Sequence, residues 1–176
     1  SIIDDRKEGF LLSMLVSPAP RSSMVLGKVL GGSILSWVQG LVVLAFLPLT
    51  GIKTSLGNVA ATAGILYLIA FSFTALGFLM AWKMESSQGF HALMNLLLFP
   101  MWMVSGALFS FGDAHSVMQW VMRVNPLTYS TSALKQLLLP AAEKAPPSLS
   151  LCIGVTLAFG IVLWIAATMT ARRRSK

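Results

Sequence analysis

Residues 29–49, VLGGSILSWVQGLVVLAFLPL, hold no charged side chain, and Ser33, Ser36 and Gln39 are their only clearly polar groups. An amphipathic helix of a soluble bundle needs a polar face, and three small polar groups do not make one. Lipid suits the stretch instead: about 20 apolar residues at ~1.5 Å rise cover the ~30 Å hydrocarbon core of a bilayer. Three more charge-free stretches lie between Lys53 and Lys83, between Glu85 and Asp113, and between Lys144 and Arg172. Each Leu, Ile, Phe or Val favours insertion by roughly 0.3–0.6 kcal/mol, whereas one central charge costs about 2.5–3.5. With no charge to offset, all four are expected to insert. The chain therefore reads as an all-α polytopic membrane protein with four transmembrane helices, at about 29–49, 58–82, 91–110 and 149–171.

The net charge of +7 raises nucleic acid as a partner, but the basic residues sit at the borders of the spans rather than along one helix face. The excess of Lys and Arg on cytoplasmic loops explains them better. With residues 1–28 inside, nine basic residues face the cytoplasm (Arg6, Lys7, Arg21, Lys28, Lys83, Arg172, Arg173, Arg174 and Lys176) and four face out (Lys53, Arg123, Lys135 and Lys144). Both termini are expected inside the plasma membrane, with 172–176 as a cytoplasmic tail. The first residues are polar, so no signal peptide is expected. Cys152 is the lone cysteine, which leaves neither a disulfide framework nor a thiolate metal site.

Proton-coupled transport and intramembrane catalysis need ionisable groups within the bilayer, and none lies in the middle of a span. His91 and His115 fall near opposite ends of the third span and cannot share a metal. No metalloprotease helix, nucleophile elbow or phosphate cradle is present. Gly27-Lys28 is followed by Val29, not by the Ser or Thr a P-loop requires. The chain is expected to be no enzyme, with no catalytic residue, no metal site and no bound cofactor. Sodium coupling through hydroxyls and carbonyls stays open.

The polar segments carry the rest. Phe10, Leu11, Met14 and Leu15 recur at i, i+1, i+4 and i+5 after the charged run 4–8, forming one apolar stripe of a short helix that Ser17-Pro18 ends. Such a helix either rests on headgroups or docks on a cytoplasmic partner. Gly32, Ser36 and Gly40 form a small-residue stripe on the first span, and Ser150, Gly154 and Ala158 another on the last, suited to close helix packing within one subunit or at a dimer seam. Pro100 is expected to kink the third span. Beyond Gly106 and Asp113, Val117, Trp120, Val121 and Val124 fit a helical stripe. Asn125-Pro126 reads as the cap and first residue of a second helix, whose apolar side is Leu127, Leu134, Leu137 and Leu138.

Four runs carry a resemblance: DDRKEGFLLSMLVSPAPRSSMVLGKVLGG at 4–32, VQGL at 38–41, MVSGALF at 103–109 and NPLTY at 125–129. Their order and spacing are similar to those of the permease subunits of type-2 ABC transporters, and within them of the daunorubicin-resistance type of drug exporter. The likeness covers almost the whole chain. Leu-Lys-Gln at 134–136 stands where the family often has Leu-Arg. The resemblance implies six spans in the full subunit, two of them ahead of this chain, and pairing with a second permease copy. It implies a coupling helix within 1–28, where Arg6, Glu8, Gly9, Phe10, Leu11, Leu15 and Pro18 contact a separate ABC ATPase that binds the ATP and magnesium. It also implies two short external helices, about 116–138, at the outer mouth, with Gly106, Trp120, Asn125, Pro126 and Tyr129 as an anchor or a gate. The expected function is outward movement of a hydrophobic or amphipathic substrate; a noncatalytic membrane scaffold on the same fold is the alternative.

Overall fold

The structure, a computed structural model, describes residues 21–52, 54–84, 86–108, 114–139 and 147–173. Six α-helices make up the described residues: α1 (Arg21–Ala45), α2 (Leu56–Ala81), α3 (Ser87–Met103), α4 (Ser116–Val124), α5 (Pro126–Leu138) and α6 (Leu149–Arg173). Three of them contain stretches long and apolar enough to cross a membrane: Ser22–Ala45, Leu56–Ala81 and Leu149–Ala171. Among the described residues, the stretch expected to span at 91–110 is helical over Ser87–Met103. Its 17 residues reach about 26 Å at ~1.5 Å per residue.

Local chemistry sets the ends. α1 begins eight positions before the expected boundary at 29, so Lys28 lies within the helix rather than at its border. It stops ahead of Pro48, whose ring lacks the N–H for the next helical bond and crowds the carbonyl of Leu44. A 3-10 turn, Leu47–Thr50, follows and closes at Gly51 in the left-handed region (φ 74°). Ser55 and Ser86 cap α2 and α3, their side-chain oxygens accepting from Asn58 N (3.2 Å) and Gly89 N (3.3 Å). One residue separates α4 from α5. Pro126 holds the preceding Asn125 in extended geometry (φ −81°, ψ 114°), which ends α4, and the Asn125 side chain then accepts from Leu127 N to start α5.

α2 is the centre of the bundle. Val25 and Val29 of α1, Ala75, Leu76, Phe78 and Trp82 around the end of α2, and Leu163, Ala167 and Ala171 of α6 form one core. Ile65, Ala133, Leu137 and Cys152 bring α2, α5 and α6 together in a second. Trp37 Nε1 donates to Ala63 O (2.8 Å), and Gly32 backs onto Thr74, so α1 and α2 are antiparallel. The succession Ile65–Cys152, then Ser72–Thr156, sets α6 parallel to α2. Lys28, Lys83 and the start of α3 thus share one end, and the α4–α5 hairpin occupies the other.

α5 does not lie across the helix ends as a surface element. Leu137 O accepts from Thr54 Oγ1 (3.2 Å) and Asn58 Nδ2 (3.0 Å) at the start of α2, and Gln136 Nε2 donates to Pro147 O (2.8 Å). Seven residues back, Ser130 Oγ meets Thr156 Oγ1 at 3.0 Å. From Leu149 to Thr156, α6 rises about 10 Å, so α5 reaches that far down beside α2 and α6. Its buried face is Thr128, Ser130, Ala133 and Leu137; of the leucine side expected, Leu137 is buried and Leu134 packs against the second core. The apolar stripe of α4 faces away from the protein: Val117 is 67% exposed and Val124 79%.

Candidate functional site

The site lies where α3 stops. A helix leaves its last carbonyls without intrahelical partners, and where they are buried other groups of the protein must supply the donors. Here α5 supplies the donors. Asn125 Nδ2 donates to Met101 O (2.7 Å), Thr128 Oγ1 to Val104 O (3.4 Å) and Lys135 Nζ to Gly106 O (2.7 Å). Within the turn, Ser105 Oγ donates to Trp102 O (2.6 Å), and Ser105 N bonds the same carbonyl at 3.1 Å. Gly106 takes φ 84°, a left-handed conformation that a side chain would strain. Ser105, Gly106 and Asn125 are buried.

Gly106, Asn125, Pro126 and Tyr129 are thereby brought to one place. The Tyr129 hydroxyl donates to Arg123 O (2.8 Å), tying the end of α4 to α5. Trp120 stands apart, 67% exposed, with the Arg123 guanidinium 5.7 Å from its ring centre. Beside the hairpin, Met122, Arg123, Thr128 and Tyr129 line a pocket of about 340 Å³ with Pro147, Ser148 and Leu151 from the start of α6. Its surroundings are mainly apolar and suit an amphipathic molecule better than a fully polar one.

The small-residue stripes divide. A Cβ on Gly32 would come within 2.8 Å of Thr74 Cγ2, and one on Gly40 within 3.6 Å of Leu66, so both serve packing against α2; Ser36 is exposed. On α6 the stripe does not pack against the other described helices. Ser150, Gly154 and Ala158 are all exposed, and a Cβ on Gly154 would meet nothing within 4 Å. The packed face is Cys152, Thr156 and Gly160, two residues on and about 200° around the helix at ~100° per residue. A Cβ on Gly160 would come within 2.5 Å of Ser72 Oγ. Ser72 Oγ reaches Thr156 O at 3.3 Å, and Thr156 Oγ1 meets Ser130 Oγ, joining α2, α6 and α5 through buried hydroxyls.

Sequence reasoning missed Thr128, Lys135, Ser72, Thr156 and Gly160. Hydroxyl and glycine positions inside apolar spans are a signal for such packing, but α6 carries two small stripes and the sequence does not say which one α2 covers. Arg6, Glu8, Gly9, Phe10, Leu11, Leu15 and Pro18 lie outside the described residues, as does Asp113. Among the described residues no group of three or more His, Cys, Asp or Glu stands together to hold a metal ion.

No solved structure matches the chain. It is 25% identical over 173 residues to the linearmycin resistance permease protein LnrN of Bacillus subtilis (strain 168), covering 98% of this chain and 44% of that relative. The chain thus spans less than half the length of the curated relative it matches. Residues 1–139 match the family described as ABC-2 type transporter. Apolar helices that pack through glycines and hydroxyls accord with that match: the chain belongs to the ABC-2 type transporters.

Proposed function

We propose that this chain is the larger part of the membrane domain of an ABC exporter, moving a hydrophobic or amphipathic cargo outward, with a drug, lipid or glycan-like molecule as the substrate class. The similarity of nearly the whole chain to a resistance permease carries this reading. The absence of Asp and Glu from the three long apolar stretches supports it. A bundle without such groups draws its energy from elsewhere, through a shift between conformational states. In this reading a separate ATPase subunit binds ATP and magnesium and pushes on the segment Arg6–Pro18, with Glu8, Gly9, Phe10 and Leu11 as the contact.

In the same proposal α3 crosses the membrane as the fourth span, both ends of the chain are cytoplasmic, and the α4–α5 hairpin stands at the outer mouth of the plasma-membrane transporter. α3 contributes no buried residue, and Leu93, Leu96, Phe99 and Trp102 are exposed along it. A second permease copy is the partner proposed for that surface and for the Ser150, Gly154 and Ala158 stripe. Phe10→Ala with Leu11→Ala, made in the full-length protein, is predicted to abolish co-purification of the ATPase and ATP-dependent cargo flux while membrane yield stays at the parent level. Retained binding and flux would remove the proposed contact.

A further inference from the structure

The carbonyls that α5 engages are ones a longer α3 would use itself. In a helix continued through Leu108, Met101 O would accept from Ser105 N and Val104 O from Leu108 N, the ordinary i+4 pattern. In the structure Ser105 N turns back to Trp102 O, Asn125 and Thr128 take the two carbonyls, and Gly106 leaves the helical region at φ 84°. Residues 104–108, Val-Ser-Gly-Ala-Leu, contain no proline and no charge to forbid a helix. Pro100 already removes one backbone donor from the last turns of α3. α3 buries no residue of its own; Phe90 and Met94 approach α2 near Gly77, and Leu97 and Leu98 pack, partly buried, against the core. Beyond Leu98, its hairpin end is bonded by the side chains of Asn125, the cap of α5, and of Thr128 and Lys135 within it.

We propose that α3 is a two-state element, broken at Gly106 while Asn125, Thr128 and Lys135 hold its end, and helical through Leu108 once α5 lets go. The three donors are positioning residues, and Lys135 is the outermost pin. Release separates the end of α3 from Thr128, which also lines the pocket at Met122 and Tyr129. The link to cargo movement rests on the transport reading above; the two states do not.

The test is a spin-label distance between Ala107→Cys and Leu157→Cys, both at exposed positions, in full-length protein carrying Cys152→Ala and reconstituted in lipid nanodiscs. Lys135→Met, which keeps the aliphatic stem and removes the donor, is expected to raise a second, longer-helix population by about tenfold, the equivalent of one charge-assisted hydrogen bond. Gly106→Ala is expected to shift the same way, because it strains the broken state. Lys135→Arg and Leu108→Pro are expected to keep the single parent distance, the second because it removes the N–H that a continued helix would give to Val104 O. A parent distance in both Lys135→Met and Gly106→Ala overturns the proposal, as does Lys135→Arg behaving like Lys135→Met. If Lys135→Met does not accumulate, Gly106→Ala and Thr128→Val carry the same decision. The measurement needs neither ATPase nor cargo, so two populations in a protein that moves no cargo would leave this inference standing and remove the transport reading alone.

Discussion

Asn125 makes two bonds that no common replacement keeps together. Its Oδ1 accepts from Leu127 N at 3.1 Å, and its Nδ2 donates to Met101 O at 2.7 Å. The cap is worth ~1 kcal/mol, and the second bond about as much. Asn125→Ser should keep the first and lose the second. Asn125→Asp should keep the first and set a carboxylate against a carbonyl, falling to the level of Asn125→Ala or below. Thermal unfolding of purified protein in detergent gives the order; Asp as stable as Asn would contradict the Met101 bond. The cap was legible because Asn-Pro is a local signal, complete in two adjacent residues. Its partner was not, because Met101 stands 24 residues away in sequence. Glycine makes the same point. Gly154 and Gly160 look alike along an apolar run, yet only Gly160 presses on Ser72. Gly160→Ala is predicted to destabilise by about 1–3 kcal/mol through overpacking. Gly154→Ala, where a Cβ meets nothing of this chain, should be neutral or gain up to ~1 kcal/mol of helix propensity. Equal effects in the same melting assay would overturn the assignment of faces.

Among the described residues helix existence was legible, because runs without charge leave few alternatives, but helix ends followed chemistry that apolarity hides. The apolar run expected to span to residue 110 is one continuous signal in the sequence; the helix ends at Met103, where Asn125 and Thr128 take carbonyls that the run's own N–H groups would bond in a longer helix. The stripe on α4 was read correctly as a stripe, and it is turned away from the other helices. A helix with an apolar face, a tryptophan and a basic residue at its end suits a membrane interface, where the ring sits at headgroup level. A nitroxide on Val124→Cys in the Cys152→Ala protein is therefore predicted to be more accessible to oxygen than to a water-soluble nickel chelate. The reverse ratio would place α4 in water or against protein. The hydroxyl junction Ser72–Thr156–Ser130 is a second device at this scale. Thr156→Val keeps the shape and the Ser72 bond to the Thr156 carbonyl but deletes the bond to Ser130, with an expected cost of ~0.6 kcal/mol, the mean for such bonds between membrane helices.

The described helices form a bundle centred on α2, with a basic end and a hairpin end. That polarity agrees with the distribution of Lys and Arg in the sequence, and it sets the orientation proposed for the membrane. Cysteines placed one at a time at Ser23 and at Thr50, again in the Cys152→Ala protein, are predicted to react with a membrane-impermeant maleimide only from the cytoplasmic side and only from outside, respectively. The family was legible in four short runs because their order and spacing are themselves information. The packing of the molecule was not, because it depends on which of several similar apolar faces meet. What a transporter subunit does is a property of the assembled protein, and this chain covers 44% of the length of the relative it resembles. The most direct measurement is efflux of an amphipathic dye from lipid vesicles containing the full-length permease and its ATPase, compared with and without ATP. The account predicts transport that requires ATP and both proteins. Dye movement unchanged by ATP, from vesicles in which the two are shown to be assembled, would contradict it.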